Sequence, residues 1–517
     1  MKNLPIGIQD FGKLRRDDFL YIDKTKYIHR LVNGGSYMFL SRPRRFGKSL
    51  LVSTLKELFL GHKEWFSGLW IEDKLDWEPY PVIHVDMNVL DYRNRRLEDE
   101  LDALMASVAE HYQISLSTTT SKNRFTELLQ KLSQKNKGCV VLIDEYDKPI
   151  TDLLEEPAQA AEHVKVLKNF YSTLKSQDRY IHFAFITGVS KYGKVSIFSD
   201  LNNLYDITTD PQFATLTGYT PEEVTTYFQE YQIQVASAMK LPEEQLLEQM
   251  KFWYNGYSWD AETSVYNPFS LMSFFRMGSF RNYWFSTGTP TFLTQQLKQQ
   301  QISAYELSQL SAPDSLLASG DLHHVDIIAL LFQTGYLTIK EVLPPLPFIE
   351  PRYLLGFPNQ EVAISFQQYL LAEYLEEPVN QTARTYFLPL IDSLLETNWE
   401  AFFEIVQSVF ASIPYGLFSK QEKYFHSIVH VLLGTTGMQT YSEVLTNRGR
   451  MDTVVITPKS VVIFEFKIDQ PAADALQQIR EQGYAERFGQ EDKNTVLIGV
   501  SFSTEARGVG EWVTDGA

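Results

Sequence analysis

Cysteine is almost absent. Cys139 is the only one in the chain, which excludes an internal disulfide framework and leaves no cysteine-based zinc site. Long apolar runs are missing too. No stretch reaches the roughly 18 apolar residues that suggest a membrane-spanning helix, and the opening MKNLPIGIQDFGK lacks the basic-then-apolar pattern of a secretory signal. A cytoplasmic protein with no membrane partner is expected. Positive charge is not in excess either: 47 Lys and Arg face 64 Asp and Glu, a net charge of −17. That argues against a broad basic surface coating nucleic acid. It leaves room for a confined basic cleft, whose binding would be salt-sensitive. Short-period repeats and low-complexity tracts do not stand out.

What is present is an ordinary globular composition, 44% hydrophobic and 21% charged, over 517 residues. That length suggests about two to four domains. YMFLS (Tyr37–Ser41) reads as a short buried strand and KSLLVSTLKELFLG (Lys48–Gly61) as a helix closed by glycine. PVIHVDMN (Pro81–Asn88) is a second strand, with a helix near Leu97–Tyr112 after it. CVVLIDEYD (Cys139–Asp147) and YIHFAFITGVS (Tyr180–Ser190) are further apolar runs, the latter preceded by a long helix. Strands alternating with helices imply a parallel sheet.

From about Ile207 the pattern turns mostly helical, with aromatic loops such as FWYNGYSW and NYWFSTGTPTFL. Around His324–Tyr374 a helix, two strands (near Tyr336–Val342 and Arg352–Phe357) and another helix suggest a winged-helix-like module, its strands separated by LPPLPFIEP. From about Asn398 the order is helix, three strands, helix through Ala473–Phe488, and the strand NTVLIGVSF. The expected fold is α/β in three parts: a P-loop NTPase parallel-sheet core over 1–206, a helical lid and winged-helix-like region over 207–395, and a compact α/β domain over 396–517.

SRPRRFGKSL, Ser41–Leu50, ends like a phosphate-binding loop. Such a loop joins a strand to a helix N-terminus, so that backbone N–H groups and the positive end of the helix face an anion. Its lysine reaches the β and γ phosphates and its Ser or Thr hydroxyl holds Mg²⁺. Arg45, Phe46, Gly47, Lys48, Ser49 and Leu50 are therefore candidate nucleotide-binding residues, with Ser49 also on the metal. The usual opening glycine is Arg42, and on this motif alone a basic turn is an equal reading. VVLIDEYD tips the balance: a buried strand ends in Asp144 and Glu145. In nucleotide hydrolases the first acid orients Mg²⁺, and a following Glu can polarise the attacking water. Acids also end buried strands as helix caps, but both motifs in this order favour an ATP site. Thr187 and Ser190 follow the next strand, where a γ-phosphate sensor or an ordinary loop residue can stand. Arg44, Arg45 and Lys191 are open between transition-state charge and surface ion pairs.

The stretch FLYIDKTKYIHRLVNGGSYMFLSRPRRFGKSLLVSTLKELFLG resembles the start of the AAA-ATPase-like family, common in bacteria, many of whose members carry a C-terminal PD-(D/E)XK nuclease-like domain. The resemblance extends through VVLIDEYDKPI, ITGVSKYGKVSIFSDLNNLYDIT, WYNGYSW, VYNPFSL and YWFSTGTPTFL, most of the chain. It implies that RPRRFGKS is this family's own form of the phosphate loop. It also implies that the N-terminal segment, with Phe11, Tyr21 and Asp23, packs near the nucleotide base.

Metal-dependent cleavage of a phosphodiester needs carboxylates to hold Mg²⁺ and a lysine to position water and offset charge. In FEFK, Glu465 and Lys467 are two apart on a strand and share a face, with Phe464 and Phe466 on the other. Asp452 opens the preceding hairpin strand and can meet Glu465 across it, giving D-x12-E-x-K. This order of elements resembles the PD-(D/E)XK family, with Asp452, Glu465 and Lys467 matching its signature and Met451 in place of the family's proline. The resemblance makes Asp452, Glu465 and Lys467 catalytic candidates, and Glu422 on the preceding helix an additional metal ligand beside Asp452 and Glu465. His426, one turn on, reads better as a packed histidine. Gln478 and Tyr484 fit either accessory or structural roles. Residues 396–517 hold 10 Lys and Arg against 16 Asp and Glu, so this part does not read as a strong nucleic-acid binder.

Two functions follow. One is an ATP-binding and ATP-hydrolysing enzyme that governs a Mg²⁺-dependent nuclease acting on DNA or RNA, in defence or mobile-element control. The other is a nucleotide-operated signalling or scaffold switch whose nuclease fold only binds a partner. A binding protein with two decayed sites is the blandest reading, and the joint retention of both residue sets argues against it. Homo-oligomerisation is compatible with the sequence and not indicated by it.

Overall fold

The computed structural model describes the chain except residues 135–136, 192–196, 199–200, 202, 288–290, 301–306, 308–309, 318–325, 345–348, 414–419, 446–449, 483–492 and 516–517. It forms two compact units. The first comprises Met1–Trp284 and Ser311–Asn359, the second Phe285–Leu310 and Gln360–Ala517.

The first unit is built on five parallel strands: β1 (Tyr37–Ser41), β2 (Val82–Asp86), β3 (Cys139–Asp144), β4 (Ile181–Gly188) and β5 (Tyr205–Asp206). Their order is β2-β3-β4-β1-β5. The two-residue period of the strands divides their side chains between two cores. Tyr37, Phe39, Cys139, Val141, Ile143, Ala184 and Ile186 face one layer, which includes the helices Leu97–His111, Ser121–Ser133 and Pro157–Ser176. Met38, Leu40, Val140, Leu142, Phe183 and Phe185 face the other, with the helices Thr25–Asn33 and Lys48–Phe59. Burial on both faces is why these strands read as continuous apolar runs. The helix after β1 ends at Phe59, and Gly61 follows it with a left-handed φ of 77°.

The order of strands positions the site. Because β4 lies between β1 and β3, the carboxyl ends of all three emerge side by side, at the edge where ligands of open parallel sheets gather.

The rest of this unit has its own helical core, where Val224, Phe228, Leu246, Met250, Tyr254, Leu271 and Phe274 pack together with Leu20 and Ile22. Its first helix, Pro221–Tyr227, starts with a reciprocal capping box between Thr220 and Glu223. A helix, Ile327–Thr334, capped by the Asp326 carboxylate, then precedes the hairpin β7 (Thr338–Val342) and β8 (Arg352–Gly356). A third strand, β6 (Ser311–Pro313), which the sequence pattern does not show, pairs with β8. Part of the proline-rich turn, 345–348, lies outside the described residues.

The second unit carries β9 (Gln439–Leu445), β10 (Arg450–Ile456), β11 (Ser460–Ile468), β12 (Asn494–Ser503) and β13 (Gly508–Asp515), in the order β13-β12-β11-β10-β9. Only β11 and β12 are parallel; the other pairs are antiparallel. Parallel neighbours need a crossover, which includes the helix Ala472–Glu481. It lies so close to β12 that a Cβ at Gly499 would meet the Ala472 carbonyl oxygen at 2.3 Å. The opposite face is aromatic: Phe464 stacks on Phe402, and Phe502 on Phe425. Periodicity does not reveal the closing strand β13, since its sequence GVGEWVTD carries little apolar alternation.

Candidate functional site

Two clusters gather the residues singled out above. In the first, β1 turns directly into the helix Lys48–Phe59, with Gly47 at its N-cap in the left-handed region at φ 84°. Arg45 also has positive φ, 71°, whereas Arg42 does not. The backbone feature that demands glycine therefore falls at Gly47, and position 42 has no need of one. Lys48 is 4% exposed, and its Nζ donates to the carbonyls of Arg42 at 2.9 Å and Pro43 at 3.1 Å. Burial lowers its pKa, opposed by the charges of Glu145, Asp144 and Asp147. Ser49 and Leu50 are half-buried in the first helical turn. The Phe46 ring packs edge-on against Tyr257, so any contact of this residue with a phosphate falls to its backbone. Arg44 and Arg45 are exposed; the first lies 3.7 Å from Asp152 and the second sits over Phe269.

Asp144 ends β3 fully buried and accepts a hydrogen bond from the Thr187 hydroxyl at 2.6 Å. Glu145 follows in the left-handed region, φ 52°, a strained conformation for a side-chain-bearing residue. Burial raises its pKa while Lys48 pulls it down, which puts the two side chains within electrostatic reach. Asp147, not singled out in the sequence, binds the β4 loop. It accepts from the Val189 amide and from the amide and hydroxyl of Ser190, at 3.1, 2.7 and 2.7 Å. Its signal was present as the fourth residue of DEYD, but nothing in a linear string separates an anchor from a helix cap. Lys191 is buried against Asp206 at 3.0 Å, so it is no surface ion pair. Phe11, Tyr21 and Asp23 serve packing and capping. Phe11 is buried against Phe66 and Tyr21, and Asp23 accepts from the Thr25 and Trp70 amides.

The second cluster lies where β10 and β11 part. Thr453 pairs with Phe464, so Asp452 and Glu465 are one step further along the hairpin. Asp452 Oδ2 accepts from the Phe466 amide at 2.8 Å. Glu465 and Lys467 share the face covered by the helix Ala472–Glu481. There Gln478 Oε1 accepts from Lys467 Nζ at 2.6 Å, and Gln478 Nε2 donates to Glu465 Oε1. Gln478 thus bridges Lys467 and Glu465. Glu465 is 2% exposed, and burial beside Asp452 pushes its carboxyl up to about 8. Burial raises Asp452 too. On the other side of the sheet, His426 packs against the Phe466 ring, its Nε2 3.9 Å from Asp452 Oδ2 and 3.6 Å from Glu422 Oε1. The Glu422 side chain is 63% exposed and approaches Asp452 through His426. Tyr484 lies outside the described residues.

Among the described residues no three His, Cys, Asp or Glu side chains are grouped closely enough to enclose a metal. The donor set nonetheless suits a hard divalent cation. Two adjacent carboxylates resist ionising together, and Glu465 Oε2 is buried without a hydrogen-bond partner among the described residues. Asp452 and Glu465 would hold such an ion with oxygen donors from outside these side chains. Ser49 and Asp144 offer the hydroxyl and carboxylate for the ion that accompanies a nucleotide.

Comparison with known proteins agrees with this division. Residues 5–198 match the family described as "Predicted AAA-ATPase", and residues 420–512 match the PD-(D/E)XK nuclease superfamily. The chain is also 38% identical over 525 residues to the "Uncharacterized protein in vnfD 5'region" of Azotobacter chroococcum mcd 1, covering 99% of each. No helix among the described residues is long and apolar enough to cross a membrane.

Proposed function

We propose, for a chain that belongs to the AAA-ATPase-like family and carries a C-terminal PD-(D/E)XK nuclease-superfamily domain, that it is an ATP-hydrolysing enzyme whose nucleotide state governs a Mg²⁺-dependent nuclease. Its substrate is DNA or RNA, its place the bacterial cytoplasm, and its setting defence or mobile-element control. Its parts are the ATPase core 1–206, the helical and winged-helix-like region 207–395 and the nuclease domain 396–517.

The observation that carries this reading is the pairing of a buried acid with a lysine in both clusters. In the first, Lys48 rests on loop carbonyls, which it would exchange for the β and γ phosphates. Thr187 orients Asp144, and burial raises the Glu145 pKa against the pull of Lys48, which makes its carboxylate a stronger base for a proton from water. In the second, the Phe466 amide orients Asp452 and Gln478 orients Lys467. Lys467 supplies positive charge where the phosphodiester accumulates negative charge, and Glu465 can position the attacking water. Mg²⁺, when bound, adds the charge that polarises phosphate oxygens in either site.

The test is cleavage of DNA and of RNA by the full-length protein with Mg²⁺, with and without ATP. Wild type should cut, and Lys467→Ala should not. A second reading, the nucleotide-operated switch, is favoured by the acidic balance of residues 396–517, 10 Lys and Arg against 16 Asp and Glu. ATP binding without cleavage of either nucleic acid under any divalent metal would select it.

A further inference from the structure

The phosphate loop begins with an arginine that points away from it. Arg42 is 1% exposed. Its Nη1 donates to the Ser41 carbonyl at 3.0 Å and the Thr208 carbonyl at 2.6 Å, and its Nη2 to the Phe213 carbonyl at 3.5 Å. Its guanidinium carbon lies 3.9 Å from the centre of the Trp259 ring. The same indole meets Phe46 edge-on, at 5.5 Å between centroids. One side chain thus touches residues near both ends of the loop. Trp259 is itself held in place, because the neighbouring Ser258 exchanges two hydrogen bonds with the Thr338 hydroxyl, at 2.7 and 2.9 Å.

We propose that Arg42 and Trp259 form a buried clamp that sets the path of the phosphate loop, and with it the loop's affinity for nucleotide phosphates. Arg42 is then a positioning residue that touches no phosphate. The inference rests on reading Gly47–Ser49 as a nucleotide site and adds a requirement to it. A glycine at this position has no side chain to anchor the loop. Here the path depends on a segment more than two hundred residues downstream, and the Arg42 carbonyl, fixed by the clamp, is what Lys48 rests on. Burial brings the Arg42 pKa down to about 9, with Asp206 and Asp260 opposing the fall, so the guanidinium stays charged at neutral pH. A cation over an indole face away from water is a strong contact of its type.

The experiment is calorimetric titration of ATP with Mg²⁺ into full-length wild type, Lys48→Ala, Arg42→Gly, Trp259→Leu and Trp259→Tyr, each well below its melting temperature. Arg42→Gly, although it restores the commoner loop sequence, should bind at least about tenfold more weakly. Trp259→Leu should weaken binding similarly, and Trp259→Tyr, which keeps an aromatic face, should recover most of it. ATP should change the tryptophan fluorescence of wild type, and that change should shrink in Trp259→Tyr. Should Arg42→Gly fail to melt cooperatively, the Trp259 pair carries the decision. Binding by Trp259→Leu within about twofold of wild type overturns the clamp and leaves the nucleotide site standing. A wild type that binds no better than Lys48→Ala overturns both.

Discussion

The Thr187 hydroxyl donates to Asp144 Oδ1 at 2.6 Å, fastening the end of β4 to the end of β3. The acid that ends β3 is thereby oriented by the strand lying between it and the phosphate loop. Thr187→Val keeps the shape and removes the donor. It should slow ATP hydrolysis about tenfold while leaving ATP affinity within about threefold, because the bond aims an acid and does not hold phosphate. The fold should lose about 1–3 kcal/mol, the usual effect of stripping a buried carboxylate of a partner. Steady-state hydrolysis beside calorimetric binding separates these effects; equal losses in both would contradict an orienting role.

Lys48→Ala should abolish measurable ATP binding, a loss of at least about 100-fold. The lysine is buried at the loop with carbonyl partners that a phosphate can replace. Calorimetry at fixed Mg²⁺ reads this directly, and a variant that binds as wild type does would show that the loop is a basic turn.

Gln478 holds Lys467 and Glu465 at once. Gln478→Ala should reduce metal-dependent cleavage about tenfold, and Lys467→Ala should remove it. Gln478→Glu should fare worse than Gln478→Ala, because a third carboxylate would adjoin the Asp452–Glu465 pair. Initial rates on a labelled substrate rank the three; an unaffected Gln478→Ala would leave the glutamine a packing role.

His430 gives the nuclease-like unit an acid-sensitive contribution. The ring is buried against the Ser442 hydroxyl, 2.6 Å from Nδ1, and burial lowers its pKa to about 4. An unfolded histidine titrates near about 6.5, so the folded state favours the neutral ring. Its stabilising effect is complete above about pH 6.5 and is lost as pH falls through about 4. Between pH 7 and 4.5 wild type should lose about 2–3 kcal/mol more than His430→Gln, because over most of that range only the unfolded ring gains a proton. Denaturant unfolding of both proteins at the two pH values, compared as a difference, isolates this group from Asp452 and Glu465, whose raised pKa values act in the opposite direction.

Most of the parallel sheet could be read from one dimension. Apolar runs such as Cys139–Ile143 announce a strand buried on both faces, and Gly47 announces the turn into a helix; both are local consequences of side-chain period and backbone sterics. The D-x12-E-x-K spacing similarly places Asp452, Glu465 and Lys467 through hairpin register alone. Short-range geometry has few solutions, so a short string of residues suffices to specify it.

What chain order does not encode is which distant segments meet. That β4 lies between β1 and β3 makes Thr187 the partner of Asp144 and Asp147 the anchor of Ser190. That Trp259 lies against Arg42 gives the arginine a partner more than two hundred residues away in the chain. That the crossover helix runs over Gly499 brings Gln478 to Glu465 and Lys467. These contacts exist because burial of the apolar faces brings the segments together. Once water is excluded, each remaining polar group must find a partner among whichever neighbours packing has supplied.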